Sequence, residues 1–435
     1  MPSVRTSICL FCVSGLVDAS AAHAQTQSRH LLAISDIDMM ATSYHDDQLG
    51  PPLNQVDTLS IFDLASHSEK AIASTPASNA MNSPANTMVV TPDGRLALVA
   101  ATWEQRTAGS TTVSDLSRGR HLRAYDISDR ANPRFVGEKE VMPNPTGIAV
   151  RPGGDFAVVI GGPISEGLFF VPIADGRLGT PRRVAVPLAP RSDLGREVAP
   201  QVRWHPSGKV LAALLAARSQ VAFFRVEEPA GARPRLTPWG TVQVNKYPLV
   251  GEFSPDGRFF FTSDVQWGAD VPRGYETLSE GVVTTTSLAP LGDRAARPGH
   301  IVVGATHGGF NAEFMAISPD GKLLALASIG GTSRPSDDPA YDPNAALTLF
   351  SIDPQTGRLS HAGHWPFVAT NPQGLAFDAS GALLYVGIGE YRGEEAPLKG
   401  AIEIWDVIPG PSPSLARTDR RFRAPRGVHT IAIAN

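Results

Sequence analysis

His429 and Glu313 are the residues of this chain best suited to general acid and base chemistry. An imidazole titrates near neutrality, and a carboxyl group withdrawn from water can be tuned towards it. Both stand five residues ahead of the place where a recurrent turn falls, a position shared with Asn86, Thr146, Pro200, Leu249 and Gln373. Five of these seven are polar, so donors and acceptors are expected around one small opening, with Asn86, Thr146 and Gln373 as ligand-binding candidates. A water-filled channel would call for the same polarity. Three residues closer to the turn the alignment reads Val89, Ala149, Arg203, Glu252, Ala316, Ala376 and Ala432. Its only two charges fall in neighbouring units, and a buried charge is costly unless paired. Arg203 and Glu252 are therefore expected to form an ion pair. It either locks two units together or serves the chemistry, with Arg203 or Arg426 stabilising negative charge that develops on a carbonyl oxygen.

A second group lies in one long loop: Asp36, Asp38, His45, Asp46 and Asp47. Its oxygens suit a hard divalent cation such as Ca²⁺, and His45 would admit a transition metal. The spacing fits no tight metal motif, and solvated loop acids would look the same. Trp103, Trp267, Tyr391 and Arg392 occupy other long loops, where they either wall a ligand cleft or pack the loops against one another. His307, in a His-Gly-Gly step, is either a ligand contact or a turn residue. The chain has no G-x-S-x-G elbow, H-E-x-x-H helix, phosphate loop or dinucleotide fingerprint, which disfavours a serine hydrolase or a nicotinamide enzyme.

The elements that must position these residues are visible as a repeat. MVVTPDGRLALVA from Met88 recurs as IAVRPGGDFAVVI from Ile148, VRWHPSGKVLAAL from Val202, GEFSPDGRFFFTS from Gly251, MAISPDGKLLALA from Met315 and LAFDASGALLYVG from Leu375. Each copy is an apolar stretch, a tight turn and another apolar stretch. Pro presets the first turn position, Asp or Ser accepts hydrogen bonds, and Gly takes the positive φ that reverses an antiparallel pair. The turn glycines, Gly94, Gly154, Gly208, Gly257, Gly321 and Gly381, are 49 to 64 residues apart, so each interval holds one unit. An alternating third strand and a shorter fourth follow each turn, which is the pattern of a propeller blade. In the fourth blade, Gly281 onwards and Gly299 onwards supply these two strands. Six full units leave a strand from Val428 at one end and three strands, from Arg29, Asp57 and Ser68, at the other. Together they make a seventh. The expectation is an all-β, seven-bladed propeller of four-stranded antiparallel blades, one domain over 25–435, closed by pairing of the N- and C-terminal strands within about 29–76 and 428–435.

The SPDG turn followed by LLALAS or LLYVG resembles the YVTN-type repeats of seven-bladed propellers, a group that includes the lactonase-like, 6-phosphogluconolactonase-type family. The resemblance spans nearly all of 25–435, but its motifs specify scaffold and transfer no catalytic residue. What it implies is a hydrolase acting on a small cyclic ester or related ring compound at the channel mouth. In that scheme His429 or Glu313 deprotonates water. Two other uses of such a scaffold stay open: a non-enzymatic platform that binds a protein or small ligand through its long-loop face, and a propeller subunit of an oxidoreductase.

Residues 1–24 read as an export signal: Arg5, an apolar run from Ile8 to Val17, and Ala22-His23-Ala24 ahead of Gln25. About ten apolar residues cannot span a bilayer. Both cysteines, Cys9 and Cys12, fall inside it, so cleavage would leave no thiol and exclude c-type haem attachment, while a lipid anchor on Cys12 is the rival reading. The expected location is the periplasm or the exterior. With 42% hydrophobic and 18% charged residues in 435, and a net charge of −4, the chain is ordinary globular material with nothing basic enough to hold nucleic acid.

Overall fold

A computed structural model describes residues 30–66, 68–81, 86–189, 191, 197, 199–228, 233–267, 279–293, 298–394 and 398–434. The export signal expected over 1–24 lies outside the described residues. Seven antiparallel sheets follow one another around a ring, and each inner strand contacts the inner strand of the next sheet. Blade one runs Met88–Val90, Leu96–Trp103, Arg118–Asp126 and Arg134–Glu140. Blade four ends with Glu280–Ser287 and Ile301–Phe310, matching the two strands expected there. All six turn glycines have φ between 68° and 78°.

Blade two departs from the four-strand pattern. Its third strand, Leu168–Ala174, pairs with Arg182–Val184 at one end and with the two-residue strand Arg177–Leu178 at the other. Asp175 and Gly176 both take positive φ, which makes a tight reversal that splits the outermost position in two.

The seventh blade closes the ring. Val428–Ala434 is its innermost strand and pairs with His30–Ser35, which continues to Thr58–Asp63 and Ala73–Pro76. The apolar core lies between blades. Side chains alternate across a strand, so Leu31 and Ala33 pack with Tyr385 and Ile402 of blade six, while Leu32 and Ile34 pack with Met88 and Val99 of blade one. Every blade is therefore covered on both faces, which explains why the second strands read as continuous apolar runs.

A conformational constraint marks the entry to the inner strands. Asn144, Tyr247, Asn311, Asn371 and Gly427 all have positive φ, each two residues ahead of a mouth position. At Gly427 the constraint is absolute: φ is 80°, and a Cβ would collide with the carbonyl oxygen of Asp36. Gly427→Ala should therefore destabilise the protein by roughly 1–3 kcal/mol through strain at the closure. Thermal and denaturant unfolding of the variant beside wild type checks this, and an unchanged midpoint would contradict it.

Candidate functional site

The strands bring the nominated residues into two separate groups around the axis. Deep in the channel, Asn86, Gln201, Arg203, Glu252, Met315, Leu375 and Thr430, from six blades, surround about 50 Å³. Here Arg203 and Glu252 form the ion pair expected from the alignment, with 19% and 28% of their side-chain surface exposed. Arg203 Nε also donates to the Gly251 carbonyl at 3.2 Å, and the Asn86 amide oxygen, turned towards the guanidinium, accepts from both of its Nη atoms. Burial raises the Glu252 pKa, and the facing Arg203 opposes that rise. The arginine is thus fully engaged in linking blades one, three and four.

The second group lies at the start of the inner strands. Glu313, Tyr44, Trp267, Asn311, Ile329, Ser333 and Asn371 enclose about 20 Å³. Glu313 is buried, and its Oε2 accepts from Gln373 Nε2 at 3.2 Å. Gln373 Nε2 also donates to the Tyr44 hydroxyl at 3.2 Å, and that hydroxyl donates to the Met81 carbonyl at 2.8 Å. Loss of water around Glu313 pushes its pKa up to about 7, against which the Gln373 hydrogen bond pulls weakly. Burial, and then the nearby Glu313 charge, raises the Tyr44 pKa. Trp267 Nε1 donates to Asn311 Oδ1 at 3.2 Å, so this tryptophan walls the same space. Tyr44 reaches the site from a one-turn helix, Ser43–Asp46, in the 36–57 loop of blade seven. That loop crosses the mouth: Leu49 N donates to Thr111 O and Val113 N to Asp47 O, both at 2.8 Å, in blade one, while His45 Nε2 lies 3.1 Å from Ser333 Oγ in blade five.

His429 is set apart from this chemistry. It is completely buried, and its Nε2 lies 2.7 Å from Asn79 Oδ1. The Asn79 amide nitrogen already donates to the carbonyls of Ala77 and Ser35 at 2.7 and 3.2 Å. The Asn79 oxygen therefore accepts, and Nε2 carries the proton. Nδ1 faces the Thr430 hydroxyl at 3.3 Å, and desolvation depresses the pKa to about 3. A neutral imidazole bound on both sides is a strut, which leaves Glu313 as the remaining acid-base candidate of the pair nominated from the sequence.

The metal expectation is also corrected, because His45, Asp46 and Asp36 do not converge. Asp36 turns inward and accepts from the amides of Asp38, Met39 and Met81 at 3.2, 3.2 and 2.9 Å. Asp46 caps the amide of Gln48 at 2.9 Å, and Asp38 pairs with Arg106 at 3.5 Å. Among the described residues no three His, Cys, Asp or Glu side chains gather in a metal-holding group. Burial lifts the Asp36 pKa to about 6, and burial, then the neighbouring Asp36 and Asp38 charges, raises that of Asp57 beside it.

The remaining candidates are dispersed. Arg426 donates to the Ile37 carbonyl at 3.1 Å, anchoring the root of the covering loop, and the structure shows no contact between it and Glu313. Trp103 packs on the small apolar cluster of Met39, Leu49, Met81, Val113 and Leu116 beneath that loop, together with Tyr44. Tyr391 bonds Glu403 on the outer side of blade six, and Arg392 donates to Thr332 O and Arg334 O at 2.7 and 2.5 Å. His307 is exposed within the fourth strand of blade four, 3.0 Å from Glu280, and so is not a turn residue. Thr146 donates its amide to Ile160 O at 2.8 Å. Sequence reasoning missed Tyr44, Asn79 and Asn371. The recurring Asn two residues ahead of the mouth position was the available signal for Asn371.

No family model and no curated protein matches the chain. Among solved structures, a periplasmic gluconolactonase from Pseudomonas aeruginosa is similar over 94% of this chain and 99% of its own, with a TM-score of 0.62 and 16% identity. A putative 6-phosphogluconolactonase from Bacteroides fragilis covers 95% and 99% at a TM-score of 0.61 and 14% identity. A hypothetical selenium-binding protein from Sulfolobus tokodaii covers 94% and 94% at 0.59 and 11%. The fold class is thus a seven-bladed β-propeller whose structural neighbours include lactonase-like proteins. Identities this low carry the fold and leave the activity to the site.

The channel pair can be tested by a mutant cycle. Arg203→Met alone should cost roughly 1–3 kcal/mol by leaving half-buried Glu252 without its partner, whereas Arg203→Met with Glu252→Met should recover most of that loss. Denaturant unfolding of the three variants reads the coupling, and additive losses would show that the charges do not support each other.

Proposed function

We propose that this chain is an exported lactonase-like hydrolase acting on a small cyclic ester or related ring compound at the mouth of the channel. One observation carries the reading: Glu313 is buried in the mouth, paired with no cation among the described residues, and its pKa is lifted to about 7. Such a carboxyl group is divided between its two protonation states near neutral pH, which suits it to take a proton from water attacking an ester carbonyl. The Gln373 bond holds its oxygen in place, and Trp267 supplies apolar surface for a ring. Arg203, committed to Glu252 and Asn86, is left out of the scheme. Export rests on the signal-like segment at 1–24 and is compatible with the periplasmic neighbour; among the described residues no helix is long and apolar enough to cross a membrane.

The binding-platform reading draws on a different place. A groove of about 470 Å³ between blades four and five is lined by Glu280, His307, Phe310, His361 and His364, with Phe310 47% exposed. A protein or small ligand seated there would leave Glu313 untouched.

The test is hydrolysis of a panel of lactones and aryl esters by the purified protein, with and without chelator. Glu313→Gln should lower kcat/KM by about 10²–10⁴-fold, the usual contribution of a positioned base. Because the ionised carboxylate is the active form, kcat/KM should rise with pH through about 7 and level off above it. A panel that is inert under all conditions would move the assignment to the binding platform, whereas a Glu313→Gln variant with full activity would overturn Glu313 as the base.

A further inference from the structure

The mouth contains polar groups that the fold itself does not satisfy. Asn371 is completely buried, lines the space beside Glu313, and neither its Oδ1 nor its Nδ2 has a partner among the described residues. Gln373 Oε1, two residues on, is likewise buried and unpartnered. Buried polar groups left without hydrogen bonds are destabilising and rare in folded proteins, so each calls for an explanation. Backbone geometry does not provide one. Asn311 occupies the equivalent place one blade earlier with the same φ of 49°, yet its amide is satisfied at both ends, by Trp267 Nε1 at 3.2 Å and the Gly330 carbonyl at 3.3 Å. Asn144, at the equivalent place in blade two, leaves its Oδ1 buried without a partner, but only at Asn371 among these three asparagines are both amide atoms buried and unpartnered among the described residues, and Asn371 lines the space that holds Glu313.

Tyr44 fills the rest of that space. It is borne by the 36–57 loop rather than by a blade, and it presents a six-membered ring whose oxygen accepts from Gln373 Nε2 at 3.2 Å. With the tyrosine in place only about 20 Å³ remains, enough for a water molecule and too little for an organic ring. Withdrawal of Tyr44 would free the volume of one phenol ring and release a Gln373 donor next to the unpartnered Asn371 amide.

We propose that the hydroxyphenyl ring of Tyr44 stands in the place of the ligand: a six-membered ring bearing a carbonyl, whose oxygen takes the donors of Gln373 and Asn371 when the tyrosine leaves. Tyr44 is then an internal competitor that holds the closed site together and must be displaced by the ring it imitates. The inference rests on the hydrolase reading only in naming the bound carbonyl as the one attacked. The binding step stands without turnover.

A non-hydrolysable probe separates the two claims. δ-Valerolactam, a saturated six-membered ring with an amide carbonyl, is titrated calorimetrically into the full-length protein, with tetrahydropyran as the ring without a carbonyl. Tyr44→Ala should bind the lactam at least tenfold more tightly than wild type, with no comparable gain for tetrahydropyran. Adding Asn371→Gly, which tolerates the positive φ and avoids a second carboxylate beside Glu313, should abolish most of that gain. Tyr44→Phe keeps the ring and loses only its hydroxyl bonds; it should bind between wild type and Tyr44→Ala, and it supplies the measurement if the alanine variant fails to fold. Lactam binding unchanged by either Tyr44 substitution, equal gains for both probes, or a gain that survives Asn371→Gly would overturn the proposal. Lactone turnover measured in parallel keeps the readings distinct: an inert panel with the expected lactam behaviour removes the hydrolase and leaves the ring site, whereas turnover insensitive to Tyr44 and Asn371 does the reverse.

Discussion

The pairing of His30–Ser35 with Val428–Ala434 is the contact on which the other features depend. A propeller blade is covered on both faces only when it has two neighbours, because its side chains alternate between the core on one side and the core on the other. Without the terminal pairing, blades six and one would face a gap where seven now pack. Leu31, Ala33 and Phe62 fill one side of that gap, and Leu32, Ile34 and Ile61 fill the other. Closure also removes the open strand edges that would template association with other chains. The two cores that flank blade seven are therefore conditional on one antiparallel pair, formed by the first and last strands of the described residues.

The same junction controls the mouth. Asp36 N donates to the Gly427 carbonyl at 3.0 Å immediately after the closing strand pair, and Arg426 holds Ile37. From this root the loop runs over the axis to blades one, five and six. The covering loop is rooted in the ring closure at one end and ties down to distant blades through a few polar contacts. Its apolar support is the small cluster of Met39, Leu49, Met81, Val113 and Leu116, separate from the seven inter-blade cores. A segment supported in this way can open at lower cost than any strand of the ring.

The contrast between fold and site shows which information a sequence carries locally. Six copies of one turn, each with a glycine forced to positive φ, were enough to count the blades and align them, and that alignment placed Arg203 against Glu252 across two sheets. It also brought Glu313 and Gln373 to the mouth. It could not tell depth from exposure: His429 satisfies the same register, yet Asn79 and Thr430 seal it. Asn79 sits after the outer strand of blade seven, remote from every turn motif. Tyr44 was missed for a related reason, since its position comes from the path of a long loop rather than from strand register. The loop acids near it were read as metal ligands because composition reveals charge without direction, and Asp36 spends its oxygens on backbone amides. Asn371 was legible in principle. Asn-Pro or Asn-Ala precedes three mouth positions, and the shared left-handed backbone explains why that residue type recurs.

Two carboxyl groups on inner strands of adjacent blades, half-buried Glu252 and buried Glu313, are placed in opposite electrostatic settings by what faces them. Both are pushed upwards by loss of water. Glu252 meets a guanidinium, which restores the preference for charge and makes the group a structural link. Glu313 meets the amide of Gln373, which can stabilise a carboxylate but brings no compensating charge, so its proton is held near neutrality. A cation at Asn371 or Gln373 would have satisfied the neighbouring polar atoms and lowered the Glu313 pKa at the same stroke, at the expense of its usefulness as a base. The unpaired carboxyl group and the unpartnered amide are thus two consequences of one arrangement: a buried polar mouth with no positive charge among the described residues, filled by the ring of Tyr44.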